Sequence, residues 1–186
     1  MGNIYFTSDL HLYHDRAFVY EPRGFNNIYD MNDAIVKNWN SIVTEEDEVY
    51  ILGDLMLNDN DNAIKLVKQL NGKIHIILGN HDTVTRTNLY RECHNVIDVS
   101  YATVIKYKGY HFYLSHYPTM TGNLEKESLK QCMCCLFGHT HSKDKFYNDI
   151  PFMYNVAADA HNCTPVNIDT IIEDMKAKVE ECKKML

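Results

Sequence analysis

Apolar and polar positions along this chain recur in two periods, and the switches between them mark the elements. Residues 3–8 (NIYFTS) form a short β-rich run. Met31, Ile35, Trp39 and Ile42 then recur at helical spacing and predict an amphipathic helix over 31–43. The run EVYIL at 48–52 predicts a strand, 63–70 a helix stopped by Asn71-Gly72, and IHIIL at 74–78 another strand. A short helix is expected over 84–92. Strands are expected at 96–99, 102–107 and 110–115, the last two joined as a hairpin across Lys108-Gly109. Two further apolar runs, 134–137 and 152–156, read as strands. Ile168, Ile171, Ile172, Met175, Val179 and Cys182 predict a C-terminal amphipathic helix. Strands alternate with helices first and then dominate, which predicts a mixed α/β protein with a substantial sheet core. Without repeats, low-complexity runs or Pro- and Gly-rich linkers, residues 1–186 read as one domain.

Composition narrows the function classes. The 186 residues are 45% hydrophobic and 23% charged, ordinary for a globular chain, so disorder and fibre are excluded. No window approaches the ~18 consecutive apolar residues of a membrane helix, so a membrane is not an expected partner. Eighteen Lys and Arg against twenty-five Asp and Glu give a net charge of −7. That sign disfavours nonspecific binding to nucleic acid, and no basic stripe overrides it. Six cysteines follow an N-terminus that reads as a strand rather than a signal peptide, which predicts reduced thiols and a cytoplasmic location. Cys132-Met133-Cys134-Cys135 fits no zinc spacing and reads as apolar residues entering a strand.

The ten histidines acquire meaning from where they fall. Asp9-Leu10-His11 follows the first predicted strand, Gly53-Asp54 the second and Gly79-Asn80-His81-Asp82 the third. Ser115-His116 ends the hairpin, and Gly138-His139-Thr140-His141 ends the cysteine-rich strand. Ligands of α/β sheets bind outside the carboxyl ends of strands, so the five segments are expected to converge. Asp9, His11, Asp54, Asn80, His116, His139 and His141 then supply two carboxylates, one amide oxygen and four imidazoles. Seven donors exceed one tetrahedral ion and suit two ions sharing a carboxylate. Mixed N and O ligation points to Mn, Fe, Zn, Ni or Co. On an extended backbone, residues i and i+2 face one side, which would bring Asp9 with His11, and His139 with His141, to one metal. Two divalent ions leave the site net positive, ready for an anion, and a pair ~3.5–4 Å apart suits phosphoryl chemistry.

The motifs DLH, GD, GNHD, SH and GHTH, in this order over residues 9–141, resemble the calcineurin-like metallophosphoesterase superfamily, in its compact bacterial and phage form. The resemblance implies a four-layer αββα sandwich of two mixed sheets flanked by helices. It implies a first ion held by Asp9, His11, His141 and bridging Asp54, and a second held by Asp54, Asn80, His116 and His139. Manganese is the first choice for both ions, with Fe, Ni, Zn, Co or Mg as alternatives. His81 would be the acid that protonates the leaving oxygen, and Asp82 would orient it. The implied reaction is in-line attack on phosphorus by a hydroxide bridging the metals. In similar loops an Arg-Pro-Phe element and a further His accompany the site. Here Glu21-Pro22-Arg23-Gly24-Phe25 reverses the order of Pro and Arg. Arg23 is therefore either a phosphate contact or a structural ion pair, and His14 either lines the site or lies on the surface. Tyr117 either lines the pocket or packs in a Tyr-Pro turn, and Asp159 is a candidate supporting carboxylate. The expected partner is a small phosphate-ester or nucleotide substrate, a phosphodiester ahead of a monoester. A nuclease on DNA or RNA and a catalytically dead scaffold are the competing functions. The sequence leaves the oligomeric state and the natural substrate open.

Overall fold

In the computed structural model, which describes residues 2–121 and 128–184, four parallel strands come first. They are β1 (Ile4–Thr7), β2 (Glu48–Leu52), β3 (Lys73–Ile77) and β4 (Val96–Ser100), each paired with the next. Parallel neighbours need crossovers. The helices that make them are α2 (Ile28–Ile42), α3 (Asn60–Val67) and α4 (Val84–Arg91), with a single turn, α1 (Ala17–Tyr20), ahead of α2. A second sheet follows from β5 (Ala102–Tyr107), β6 (Tyr110–Ser115), β7 (Met133–Phe137) and β8 (Met153–Asn155), in that spatial order. The chain then returns as β9 (Val166–Asn167), antiparallel to β1, and ends in α5 (Ile168–Lys184). This is the expected α/β architecture of two mixed sheets flanked by helices.

Local chemistry explains where the boundaries moved. The α2 helix starts one turn before the periodic apolar run, because the Asn27 side chain accepts the Asp30 N–H and caps it there. Asp59 does the same for Asn62, so α3 starts and ends earlier than 63–70. Lys108 and Gly109 both have positive φ, the two-residue turn whose twist matches a hairpin. The α1 and β9 elements are too short to leave a period in the sequence.

Two cores form. On one face of the first sheet, Val49, Ile51, Ile74 and Ile76 pack against Met31, Ile35 and Trp39 of α2 and Val67 of α3. Between the sheets, Phe6, Leu52 and Ile77 meet Phe112, Leu114, Leu136 and Tyr154, with Ile171, Ile172 and Met175 of α5. Cys134 and Cys135 are fully buried and no disulfide forms among the described residues, so the Cys-rich run enters a buried strand, as expected. The sheets are tied together at their carboxyl ends, where Ser8 bridges Ala157 in parallel and the Ala158 N–H donates to Ser8 O. All the predicted donor segments lie at that tied end.

Candidate metal centre

The donors are carried by loops bonded to one another through their backbones. Asp9 N–H donates to Gly53 O, His11 N–H to Asp54 O, and Gly138 N–H to His116 O, each at 3.0 Å. The backbone there is not extended. Asp9, His11, Asp54, His139 and His141 all have φ between 50° and 67°. The i, i+2 argument therefore paired Asp9 with His11 correctly but for the wrong reason, and it failed for His139 and His141, which face different halves of the cluster. Left-handed kinks turn both side chains inward, a conformation costly for non-glycine residues and typical of functional sites. Gly138 stands immediately before a donor because a methyl group there would overlap Ser8 Oγ and Asp9 Oδ2. Gly138→Ala is expected to destabilise the protein by about 1–3 kcal/mol and to weaken metal retention. A thermal melt with and without Mn²⁺ checks it; an unchanged melting temperature and unchanged Mn²⁺ shift would refute it.

All seven predicted donors converge. Asp9, His11, Asp54 and His116 are buried, while Asn80, His139 and His141 stand at the mouth. In one half, Asp9 Oδ1 lies 3.9 Å from His11 Nε2 and 3.7 Å from His141 Nε2, and those two nitrogens are 3.2 Å apart. In the other half, His116 Nε2 lies 2.9 Å from Asn80 Oδ1 and 3.2 Å from His139 Nδ1. Asp54 Oδ2 sits between the halves, 3.9 Å from His11 Nε2 and 3.6 Å from His116 Nε2.

Tautomers follow from the outer partners. His116 Nδ1–H donates to Leu52 O at 2.8 Å, and His141 Nδ1–H donates to Asp159 Oδ2 at 3.1 Å, leaving both Nε2 lone pairs facing inward. Burial, then His141, holds the His11 imidazole neutral, with its pKa pushed down to about 2. Burial likewise lowers His139, whereas the Asp159 hydrogen bond raises His141. Burial pushes the Asp54 carboxyl above the ordinary carboxylate range. Asp9 Oδ1 is buried without a hydrogen-bond donor among the described residues. The cluster is thus built of inward-facing acceptors, which repel one another until a cation lies among them. Neutral imidazoles, carboxylates and an amide oxygen fit divalent transition ions.

Asp82 behaves differently from expectation, and the two alternatives left for Arg23 are resolved. Arg23 is not on the rim: its side chain is 2% exposed. Its Nε and Nη2 donate to the two Asp159 oxygens at 3.0 and 2.7 Å, and Nη2 and Nη1 also donate to the carbonyls of Asp9 and Leu10. The ion-pair alternative is the one the structure shows. It makes Asp159 the link from Arg23 to His141. Asp82 does not orient the His81 ring. Its Oδ2 accepts the Gly79 and Asp54 N–H groups at 2.8 and 2.9 Å, and its Oδ1 accepts Tyr90 O–H at 2.7 Å. It therefore positions the backbone under Asp54. His81 is held through its main chain instead: its N–H donates to Asp54 Oδ1 at 2.9 Å, and its carbonyl accepts from Arg86. Its ring is 44% exposed, with Nε2 3.9 Å from Asp54 Oδ2.

His14 and Tyr117 are at the mouth. The His14 ring lies 5.3 Å from that of His11, and Tyr117 stands edge-on to His139 at 4.7 Å while remaining 48% exposed. A cavity of about 450 Å³ opens over His11, His81 and His141. Tyr90 and Arg86 were missed in the sequence. Tyr90 reads there as one more apolar helix position, and nothing local marks its hydroxyl as the third partner of Asp82.

Residues 3–171 match the family model described as the calcineurin-like phosphoesterase superfamily domain. An uncharacterized protein of Methanocaldococcus jannaschii is 34% identical over 181 residues, covering 93% of this chain and 91% of that protein. The gene 66 protein of Mycobacterium phage L5 is 30% identical over 167 residues, covering 76% of this chain and 79% of its own. Among solved structures, a protein of unknown function from Aquifex aeolicus superposes with a TM-score of 0.71 at 22% identity, covering 93% of this chain and 99% of that one. That last likeness speaks for the fold alone.

Proposed function

Because the chain belongs to the calcineurin-like phosphoesterase superfamily, whose members are metal-dependent hydrolases of phosphate esters, we propose that it cleaves phosphodiester bonds of small or nucleotide-like substrates. The convergence of inward-facing acceptors around Asp54 Oδ2 is the observation that carries this reading. Asp9, His11, His141 and Asp54 would hold one ion, and Asp54, Asn80, His116 and His139 a second. When bound, the two ions supply Lewis-acid charge and acidify a water that serves as the nucleophile.

The chain's own groups do the rest. Asp82 and Tyr90 fix the backbone beneath Asp54, so its Oδ2 keeps its place between the halves. Asp159 keeps the His141 proton on Nδ1 and its Nε2 lone pair inward. His81, exposed on the cavity wall and anchored by its main chain, is placed to give a proton to the leaving oxygen. Among the described residues, the cavity lining contains no lysine or arginine. A monoanionic diester suits such a lining better than a dianionic monoester, which gains more from a guanidinium clamp.

The direct test is hydrolysis of bis-p-nitrophenyl phosphate beside p-nitrophenyl phosphate, using metal-stripped protein with Mn²⁺, Ni²⁺, Zn²⁺ or Mg²⁺ restored. Faster metal-dependent cleavage of the diester is expected. Faster cleavage of the monoester would make the protein a phosphatase, and no turnover of either would favour a scaffold. His81→Ala is expected to lower kcat by roughly 10²–10⁴ on an alkyl leaving group, and by less on p-nitrophenolate, which needs no proton. Two Mn²⁺ ions should still bind in a calorimetric titration; loss of an ion would overturn the assignment of His81 as an acid.

A further inference from the structure

The cavity over the histidines has a second wall, made by His14, Phe18, Val19 and Leu57. Phe18 belongs to the four-residue helix α1 and is 71% exposed. Its partner is His14, met edge-on at 5.6 Å and 88°. His14 in turn lies 5.3 Å from His11 and 6.4 Å from His81. A row of rings therefore runs from solvent to the metal-ligand cluster. Val19, 5% exposed, and Leu57 give the row an apolar floor. Among the described residues, those that line the cavity include no Asp, Glu, Lys or Arg, and the Arg16 and Arg86 guanidiniums act on His14 from beyond that lining.

We infer that this wall is a binding subsite for the organic group on the leaving side of the ester, and that it takes an uncharged aromatic ring of nucleobase size. Its placement on the leaving side rests on the phosphoesterase reading, because His81 lines the same cavity. The volume of about 450 Å³ lies within the range of small-molecule sites. A flat neutral ring can stack or pack edge-on against Phe18 and cover the apolar floor. A second phosphate placed there would lose its hydration against the apolar floor of Val19 and Leu57. The subsite thus selects for single nucleoside-like or aryl esters and against polyanionic chains. Phe18 is the specificity-determining residue.

The test uses adenosine, which is neutral and aromatic, and ribose, which is neutral and not aromatic. Each is titrated into the full-length protein, metal-free and with Mn²⁺, and followed by saturation-transfer NMR. Adenosine is expected to bind the wild type, and Phe18→Tyr should bind it within about twofold. Phe18→Ala should bind it about tenfold more weakly. Ribose should show no saturable binding. Phe18 is exposed, so the variants should melt with the wild type, and the melt is measured to confirm it. Equal adenosine binding by wild type and Phe18→Ala, or none by either, overturns the subsite. Phe18-dependent dimerisation in sedimentation without adenosine binding also overturns it and assigns the wall to a second copy. If adenosine does not bind but bis-p-nitrophenyl phosphate is cleaved, the subsite fails and the phosphodiesterase reading stands. If adenosine binds through Phe18 but no ester is cleaved with metal, the reverse holds.

Discussion

Asp54→Asn is expected to abolish tight binding at both halves of the site and to lower metal-dependent ester cleavage by about 10³-fold or more. The reason lies in the two oxygens of one carboxylate. Asp54 Oδ1 accepts the His81 N–H at 2.9 Å, and Oδ2 faces His11 on one side and His116 on the other. An asparagine has one acceptor. If its oxygen takes the His81 N–H, its NH₂ points among the inward lone pairs, where it can donate to His116 Nε2 but cannot bind a cation. If it turns over, two donors meet at His81. Neither orientation preserves both interactions, and the negative charge is lost in both. A calorimetric titration of metal-free protein with Mn²⁺ decides the matter. Two ions for the wild type and no tight ion for the variant are expected. Retention of one tight ion would show that Asp54 serves one half alone.

Arg23→Met should destabilise the protein by about 3–5 kcal/mol, because it strands a buried carboxylate. Asp159 is 8% exposed and takes both its strong donors from Arg23. Burial alone would raise the Asp159 carboxyl, but the hydrogen bonds from His141 and Arg23 outweigh it and hold the group below the ordinary carboxylate range. A depressed carboxylate contributes its stability above the unfolded pKa and loses it as pH falls. The deficit of the variant should therefore be full at neutral pH and shrink in acid. For a chain of this length the melting temperature should drop on the order of 10 °C, measured in EDTA so that metal does not mask it. Replacing Asp159 by Leu in the same variant should recover much of the stability, since removing both partners avoids the stranded charge. The His141 half should still bind its ion weakly, because its Nδ1–H partner is gone. A drop of under ~2 °C for the single variant would show that the pair contributes little.

Most of the fold was legible because its signals are local. The EVYIL and IHIIL runs, the Trp39 helix and the Lys108-Gly109 turn each declare themselves within a few residues. The seven donors were legible for a related reason. Each follows directly on an apolar strand, and a parallel sheet must bring its carboxyl ends to one side. Arg23 was ambiguous because its two fates, rim or ion pair, differ only in whether Asp159, far along the chain, folds back beneath it. Asp82 was misassigned because the family resemblance implied a hydrogen bond to the His81 ring. The turn instead points its carboxylate at Gly79, Asp54 and Tyr90.

By itself, then, the sequence determined which atoms could bind metal and which strands would carry them, since side-chain chemistry and strand periodicity are properties of short segments. Only the tertiary structure decided the left-handed kinks that aim Asp9, His11, Asp54, His139 and His141 inward. It alone decided the burial of Arg23 and the ring row from Phe18 to His11. Those features depend on contacts between distant segments. Such contacts determine which unfavourable backbone angle or buried charge is stabilised, and no local pattern encodes them.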